Sequence, residues 1–261
     1  SSFRIYNPAI TRFRGNLLMA YRVDSGRRES MQRRIGLCRL AEDLSVVPGS
    51  VQPLSDTIQD GDPRRYDPRF LVYGDRLFIH YNNNNMTRPN QIHLVELDPD
   101  SLEARSPARP LQLEGVPRQE IEKNWMLFEH EGALHCLYKL DPLTILVREA
   151  SGSWRVVGRA DNGWADGLRG TLSNSANLIP FQGGYLGFWH SIVDRRYVQG
   201  AMLLGPDLAL RSRTGVLLDG RRAAPGHKPG VLYVSSLVEH DGRILAFYGE
   251  GDAHTGVAIF D

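Results

Sequence analysis

The chain has 261 residues, enough for one large or two ordinary domains, and a formal net charge of +1 at pH 7. This balance gives no electrostatic basis for nucleic acid or an anionic membrane as the principal partner. No apolar run approaches the roughly 20 residues of a transmembrane helix and no leader opens the sequence, so we expect a cytoplasmic protein. Cys38 and Cys136 lie in apolar, strand-like patterns and are expected to be buried thiols, with a single disulfide as the alternative.

A hairpin motif recurs five times in the sequence, at intervals of about 50–60 residues. Each copy has a short apolar strand, a turn that contains glycine, and a second apolar strand that often ends on an aromatic residue. The copies begin at Asn7, Tyr66, Lys123, Ser175 and Ser235. Their turn glycines are Gly15, Gly74, Gly132, Gly183 and Gly242.

Shorter strands are predicted after each hairpin, at 34–40, 92–97, 144–148 with 154–157, 198–204 and 255–260. No segment carries the sustained 3.6-residue apolar period of a long helix. Five such β-meander units predict an all-β fold, a five-bladed β-propeller. Because no linker or shift in composition interrupts the sequence, we expect residues 1–261 to form one domain. A β-sandwich with accidental similarity between its hairpins is the alternative.

In a propeller the innermost strand of every blade lines the central channel and starts at one common face. The residues seven or eight positions before each turn glycine should therefore converge there. These residues are all polar, which predicts a site for a small polar ligand: Asn7, Asp67, Asn124, Ser175 and Ser235.

Asp67 is the leading candidate for a chemical role, because it is the carboxylate in this set. The sequence contains two Asp-Pro-Arg triplets, which begin at Asp62 and Asp67, and only the second runs directly into a hairpin. The competing interpretation is that Asp67 caps a turn before Pro68, a common use of aspartate.

Further candidates lie where the hairpins begin, where they end, or shortly after them. Asn82 opens a run of asparagines to Asn85 that suits sugar hydroxyls, and Lys123 and Lys139 are two of only three lysines. Lys123 and Lys139 with His190 would form an anion pocket for phosphate. The other candidates for substrate or phosphate contacts are Arg22, Asp24, Arg69, Tyr138, Tyr197 and Asp252. The eight histidines lack ligand spacing, so we expect neither a metal nor another cofactor.

An ordered set of motifs resembles the β-mannoside phosphorylases and mannosidases of glycoside hydrolase family 130. The related mannosyltransferases and mannan phosphorylases of glycosyltransferase family 108 are similar as well. The likeness covers nearly the whole chain in matching order. The motifs are Asn7-Pro8-Ala9 with 18–22, Asp67-Pro68-Arg69, 122–128, 185–190 and 248–258.

The resemblance implies a five-bladed propeller that acts on β-mannosides with inversion. It makes Asp67 the general acid, whose proton reaches the glycosidic oxygen through a sugar hydroxyl while inorganic phosphate attacks the anomeric carbon. It places Lys123, His190 and Tyr197 on phosphate and Asp252 on the sugar, with Arg69 and Asn124 orienting them. The implied partners are a mannose-containing oligosaccharide and inorganic phosphate or mannose 1-phosphate.

Three functions stay open from the sequence. The first is a phosphorylase, or a transferase that uses mannose 1-phosphate. The second is an inverting hydrolase, which needs a further carboxylate roughly 6.5–9.5 Å from Asp67 to activate water. The third is a non-catalytic propeller that binds sugars or proteins. The candidate bases for hydrolysis are Glu122, Asp141, Glu250 and Asp252.

Overall fold

The computed structural model describes residues 3–26, 31–83, 89–114, 116–164, 170 and 172–261. Within these ranges the regular structure is almost entirely β-strand, in five antiparallel sheets that follow one another along the chain. The sheets are the blades of a five-bladed β-propeller, which confirms the predicted fold class. The helical segments described are two 3-10 turns, Leu54–Asp56 and Gly220–Arg222. None of the described helices is long and apolar enough to cross a membrane.

The first three blades each begin with their innermost strand and proceed outward in chain order. Blade 1 contains β1 (Arg4–Phe13), β2 (Asn16–Ser25) and β3 (Gln32–Leu40). Blade 2 contains β4 (Tyr66–Tyr73), β5 (Arg76–Asn82), β6 (Ile92–Leu97) and β7 (Arg109–Pro110). Blade 3 contains β8 (Met126–His130), β9 (Ala133–Leu140), β10 (Leu143–Arg148) and β11 (Trp154–Ala160).

Blade 4 differs because its innermost strand is interrupted. Both pieces, β12 (Leu172–Asn174) and β13 (Ile179–Phe181), pair with the same neighbour. The rest of blade 4 is β14 (Gly184–Val193), β15 (Arg196–Leu204), β16 (Leu210–Arg213) and β17 (Leu218–Asp219). Blade 5 contains β18 (Leu232–His240), β19 (Arg243–Glu250) and β20 (His254–Phe260).

The predicted turn glycines all lie in the tight turns of the five inner hairpins. In four of them glycine is the second turn residue, with φ between 73° and 77°, and the residue before it also has a positive φ, between 47° and 50°. Two successive left-handed residues match the twist of a two-residue hairpin. In blade 2 the glycine comes first, with φ of 57° at Gly74.

The apolar core is divided among the five seams between neighbouring blades, with one cluster at each seam. Successive residues of an innermost strand face opposite neighbours, because side chains alternate along a strand. Ala9 packs toward blade 2, whereas Ile10 packs with Val238 and Phe247 of blade 5. The two ends of the described chain are therefore held together by core packing.

Polar contacts reinforce this closing seam between blades 5 and 1. The hydroxyl of Ser236 accepts from the backbone N–H of Ile10 at 2.9 Å and lies 3.0 Å from the carbonyl oxygen of the same residue. The hydroxyl of Ser235 donates to the carbonyl of Pro8 at 2.6 Å. Ser235 thus serves the seam and lies buried there, although its phase predicted a place at the channel.

The two cysteines are free and buried, as the favoured interpretation of the sequence expected. Cys38 packs in the seam between blades 5 and 1, and Cys136 in the seam between blades 2 and 3.

Replacing Ser236 by alanine tests the closing seam. We expect Ser236→Ala to lower the free energy of unfolding by about 1–3 kcal/mol, because the buried N–H of Ile10 loses its acceptor. Urea denaturation measures this change. Ser212→Ala, on an exposed position of β16, is the control and should change stability by less than about 0.5 kcal/mol. Equal stabilities of the two variants would contradict the role of Ser236.

Candidate active site

The innermost strands of blades 1 and 2 carry the same backbone irregularity at the same position. The strand register shifts by one residue between Tyr6 and Ala9 in blade 1, and between Tyr66 and Arg69 in blade 2. Asn7 and Asp67 lie in these bulges, with φ of 51° and 50°. Asparagine and aspartate tolerate a left-handed φ better than most residues, and bulges redirect side chains next to functional sites.

The bulges bring Asn7 and Asp67 into direct contact, as the repeat phase predicted. Nδ2 of Asn7 donates to Oδ1 of Asp67 at 2.8 Å. Asn124, at the equivalent position of blade 3, has a φ of 60°. The same backbone state thus recurs at three successive blade entrances.

Arg22 holds the carboxylate of Asp67 in place. Its guanidinium lies between the rings of Tyr6 and Tyr66, 4.8 and 4.4 Å from their centroids. Nη1 of Arg22 is 3.3 Å from Oδ1 of Asp67. Nε and Nη2 donate to the two oxygens of Asp24 at 2.8 and 2.9 Å. Arg22 therefore fixes two carboxylates at once.

Both partners of the Arg22–Asp24 pair are buried and charged. Burial works against the carboxylate of Asp24, but the hydrogen bonds and charge of Arg22 hold its pKa below the ordinary value. Burial likewise opposes the guanidinium, yet the charge of Asp67 and the hydrogen bond to Asp24 raise the pKa of Arg22. Arg22 is thus a permanent cation beside Asp67.

The two oxygens of Asp67 have different environments. Both described hydrogen bonds, from Asn7 and Arg22, fall on Oδ1. Among the described residues no hydrogen bond reaches Oδ2, and the side chain keeps 27% of its surface exposed. Asp67 is therefore held by one oxygen and presents the other to a ligand.

A second group in the site consists of the cations Arg69 and Lys123 and the ring of His190, whose pKa responds to both of their charges. Nη1 of Arg69 and Nδ1 of His190 are buried and have no hydrogen-bond partner in the described structure. The His190 ring stacks on Tyr197 at 5.4 Å. Burial, followed by the charges of Lys123 and Arg69, lowers the pKa of His190 to about 3, so the ring is neutral near pH 7. Two buried nitrogens are thus left for a ligand.

Tyr197 connects the two halves of the site. Burial raises its pKa, with further contributions from the negative charges of Asp252 and Asp67. Asp252 is buried, has a φ of 51°, and accepts from Nζ of Lys228 at 2.5 Å. The predicted candidate Tyr197 therefore lies within electrostatic reach of Asp67 and Asp252 and stacks on His190.

Three predicted contact residues are not joined to these groups by any described hydrogen bond. The hydroxyl of Tyr138 donates to Oε1 of Glu122 at 2.9 Å, and Nζ of Lys139 lies 5.4 Å from the centre of the Tyr138 ring. Asn82 is buried at the end of β5, opposite Tyr66. Of the run it opens, Asn84 and Asn85 lie outside the described residues.

The carboxylates considered as bases for hydrolysis have other roles here. Glu122 accepts from the indole N–H of Trp125 at 3.0 Å as well as from Tyr138. Glu250 accepts from the backbone N–H of Ala224 at 2.8 Å. Asp252 is paired with Lys228, and Asp141 lies between β9 and β10. No group of three or more acidic, histidine or cysteine residues in the described ranges could hold a metal ion.

Sequence reasoning missed four residues that build this site: Tyr6, Tyr66, Lys228 and Tyr233. A signal was available for the first two, because Tyr6-Asn7-Pro8 and Tyr66-Asp67-Pro68 are parallel triplets. Lys228 was marked only by the rarity of lysine. Tyr233, which accepts a hydrogen bond from Nη2 of Arg69, lies in an apolar strand where tyrosine is typical of a core.

The buried histidines predict loss of stability in mild acid. His80, opposite Arg69 in the sheet, has a pKa lowered to about 3 by burial and by the charge of Arg69. In the unfolded chain the histidine has a pKa near 6.5 and is protonated below that pH. In the folded protein the buried ring stays neutral down to about pH 3. Between these values stability rises with pH, by at most about 1.4 kcal/mol per pH unit for each such histidine.

Urea denaturation at pH 4.5, 5.5 and 6.5 measures this dependence. We expect His80→Gln to reduce the slope of the free energy of unfolding against pH by up to about 1.4 kcal/mol per pH unit, which corresponds to one proton. His227→Gln, at an exposed histidine, is the control and should keep the slope of the unmodified protein. A His80→Gln slope equal to that of the control would contradict the neutral, buried state of His80.

Comparison with known proteins shows the family to which the chain belongs. The glycoside hydrolase family 130 model, described as beta-1,4-mannooligosaccharide phosphorylase, matches residues 1–261. A search of the curated proteins finds no significant match.

Several solved structures share the fold at low sequence identity. A beta-1,2-mannobiose phosphorylase from Listeria innocua, in complex with beta-1,2-mannobiose, has 16% identity and a TM-score of 0.72 over 99% of this chain and 90% of that chain. A mannose phosphorylase from Leishmania mexicana, in complex with phosphate ion, has 15% identity and a TM-score of 0.62 over 99% of this chain and 84% of that chain. A putative glycoside hydrolase from Parabacteroides distasonis has 14% identity and a TM-score of 0.72 over 100% and 88%.

Proposed function

The chain belongs to the beta-1,4-mannooligosaccharide phosphorylase family, glycoside hydrolase family 130, and on that premise we propose that it phosphorolyses a β-mannoside with inversion. The products are mannose 1-phosphate and the shortened sugar. The reverse reaction, synthesis from mannose 1-phosphate, uses the same groups.

The observation that carries this proposal is that Asp67 is held by one oxygen only, while other residues of the site have buried nitrogens without described partners. Asp67 is fixed through Oδ1 by Asn7 and Arg22 and offers Oδ2. Arg69, two residues further along the same strand, and His190 hold buried nitrogens without described partners. A proton donor beside an unused cationic pocket is what phosphorolysis requires.

In the proposed reaction Asp67 is the general acid. Its proton passes to the glycosidic oxygen, by way of a sugar hydroxyl as the family resemblance implies, and the bond from the anomeric carbon to that oxygen breaks. Arg22 stabilises the carboxylate that is left. A phosphate oxygen bonds to the anomeric carbon from the opposite face. The phosphate ester loses the proton that hydrogen phosphate brought, and Asp67 regains one from solvent.

The remaining groups bind the two substrates. Arg69 and Lys123 balance the negative charge of phosphate, and the neutral ring of His190 with Tyr197 completes that pocket. Asp252, fixed by Lys228, accepts from hydroxyls of the mannose that is transferred. The free, buried cysteines agree with the proposed cytoplasmic location.

Two structural relatives guide the choice of substrates. One relative is a beta-1,2-mannobiose phosphorylase seen with its disaccharide, and the other is a mannose phosphorylase seen with phosphate ion. The family description names a beta-1,4 linkage. We therefore propose mannobiose and inorganic phosphate as substrates, with both linkages to be tested.

An assay with β-1,2- and β-1,4-mannobiose, with and without inorganic phosphate, tests the reaction. We expect mannose 1-phosphate to form from one of the disaccharides, and only when phosphate is present. Release of free mannose at the same rate without phosphate would identify a hydrolase instead. Binding of the sugar without any turnover would identify a non-catalytic propeller.

Asp67→Asn tests the acid. We expect kcat/KM to fall by about 10²–10⁴-fold, because the amide keeps the shape of the side chain but cannot act as a general acid. Asp75→Asn, at the exposed turn of the same hairpin, is the matched control and should stay near the activity of the unmodified protein. Full activity of Asp67→Asn would remove Asp67 from the mechanism.

A further inference from the structure

Tyr233, in blade 5, contacts residues of three other blades, and one of them is the cation Arg69. It lies in β18 of blade 5 and is buried, with 6% of its surface exposed. Its hydroxyl accepts from Nη2 of Arg69 in blade 2 and lies 2.9 Å from Oδ1 of Asn124, which precedes β8 in blade 3. The backbone oxygen of Ser175 in blade 4 is farther away, at 3.3 Å.

The chemistry of these groups fixes the direction of each hydrogen bond. A guanidinium only donates, so the oxygen of Tyr233 must accept from Arg69. A phenol has one proton, and the shorter contact directs it to Oδ1 of Asn124. Burial raises the pKa of Tyr233, so the hydroxyl keeps this proton in neutral solution.

Two donors are left over by this arrangement. Because Oδ1 of Asn124 accepts from Tyr233, the amide is oriented with the N–H groups of Nδ2 free to donate, and no described hydrogen bond uses them. Nη2 of Arg69 is tied to Tyr233, while Nη1 is buried and has no described partner. The free groups of Arg69 and Asn124 are therefore donors, and Arg69 and Lys123 supply positive charge, which also acts on the neutral ring of His190.

We propose that Tyr233 is a positioning residue that makes this pocket selective for phosphate, by turning Arg69 and Asn124 toward the ligand as donors. This inference rests on the proposed function of the site. Phosphate supplies several strong acceptor oxygens and negative charge, which a set of donors matches. A water molecule as nucleophile needs an acceptor for its proton as well, and the guanidinium of Arg69 and the ammonium of Lys123 cannot be one.

The ring and the hydroxyl of Tyr233 have separable effects. The ring packs edge-on against His190 at 5.3 Å and against Tyr197 at 6.3 Å. Tyr233→Phe keeps these ring contacts and removes only the hydroxyl. Tyr185→Phe is the matched control, because its hydroxyl bridges blades 3 and 4 near the hairpin turns, where it meets His130 at 3.0 Å.

The experiment measures binding of inorganic phosphate and of mannobiose by calorimetry, together with KM for each in the phosphorolysis assay. We expect Tyr233→Phe to raise Kd and KM for phosphate by about 10–100-fold, as for loss of one or more hydrogen bonds to a charged group. The values for mannobiose should stay within about threefold, and Tyr185→Phe should match the unmodified protein in both. Equal phosphate affinity in Tyr233→Phe and Tyr185→Phe overturns the inference.

Asn124→Asp keeps an oxygen for Tyr233 and replaces the donor that faces the ligand by a negative charge. We expect it to lose phosphate affinity by at least as much as Tyr233→Phe, whether or not the latter folds well. Unchanged phosphate affinity in Asn124→Asp overturns the assigned direction.

Failure of the proposed function gives a different result. If phosphate binds, depends on Tyr233 and yet supports no turnover, the inference about Tyr233 stands and phosphorolysis falls. If the unmodified protein turns over mannobiose without binding phosphate, both fall.

Discussion

The site depends on the contacts that the buried guanidinium of Arg22 makes. It belongs to the second strand of blade 1, yet it fixes Asp67 at the entrance of blade 2. A buried cation is costly unless its charge and its hydrogen bonds are matched. Here Asp24 accepts two of those bonds, Asp67 adds a second carboxylate, and the rings of Tyr6 and Tyr66 pack against the guanidinium. Asp67 is therefore held by the seam between two blades.

The repeat explains why such a contact can form. Each blade entrance repeats a polar residue at one phase of the hairpin, and in three blades that residue has a left-handed φ. Neighbouring blades then place neighbouring polar groups around one channel, as Asn7 and Asp67 show. One backbone device, repeated with different side chains, supplies an amide, an acid and a second amide in order.

The sequence alone predicted the polar residue seven or eight positions before each turn glycine. It also predicted the hairpins, the strands between them and the convergence of Asn7 with Asp67. It did not predict the directions in which long side chains point. Tyr138 and Lys139 follow the third hairpin as expected, but the hydroxyl of Tyr138 donates to Glu122 and stabilises blade 3 internally. Tyr233 resembles any apolar strand residue in sequence. Its partners come from blades 2 and 3, far apart in the chain, and only the closed ring brings them together.

The distribution of unused groups bears on the choice between phosphate and water. A base for hydrolysis must be free to take a proton, but Glu122, Glu250 and Asp252 each accept hydrogen bonds that hold a loop or strand. Protonating one of these three would weaken the contact that it makes. In the cationic pocket the unused atoms are nitrogens of Arg69 and His190. A nucleophile that carries its own negative charge fits the cations Arg69 and Lys123 and needs no carboxylate to activate it, and hydrogen phosphate has both properties.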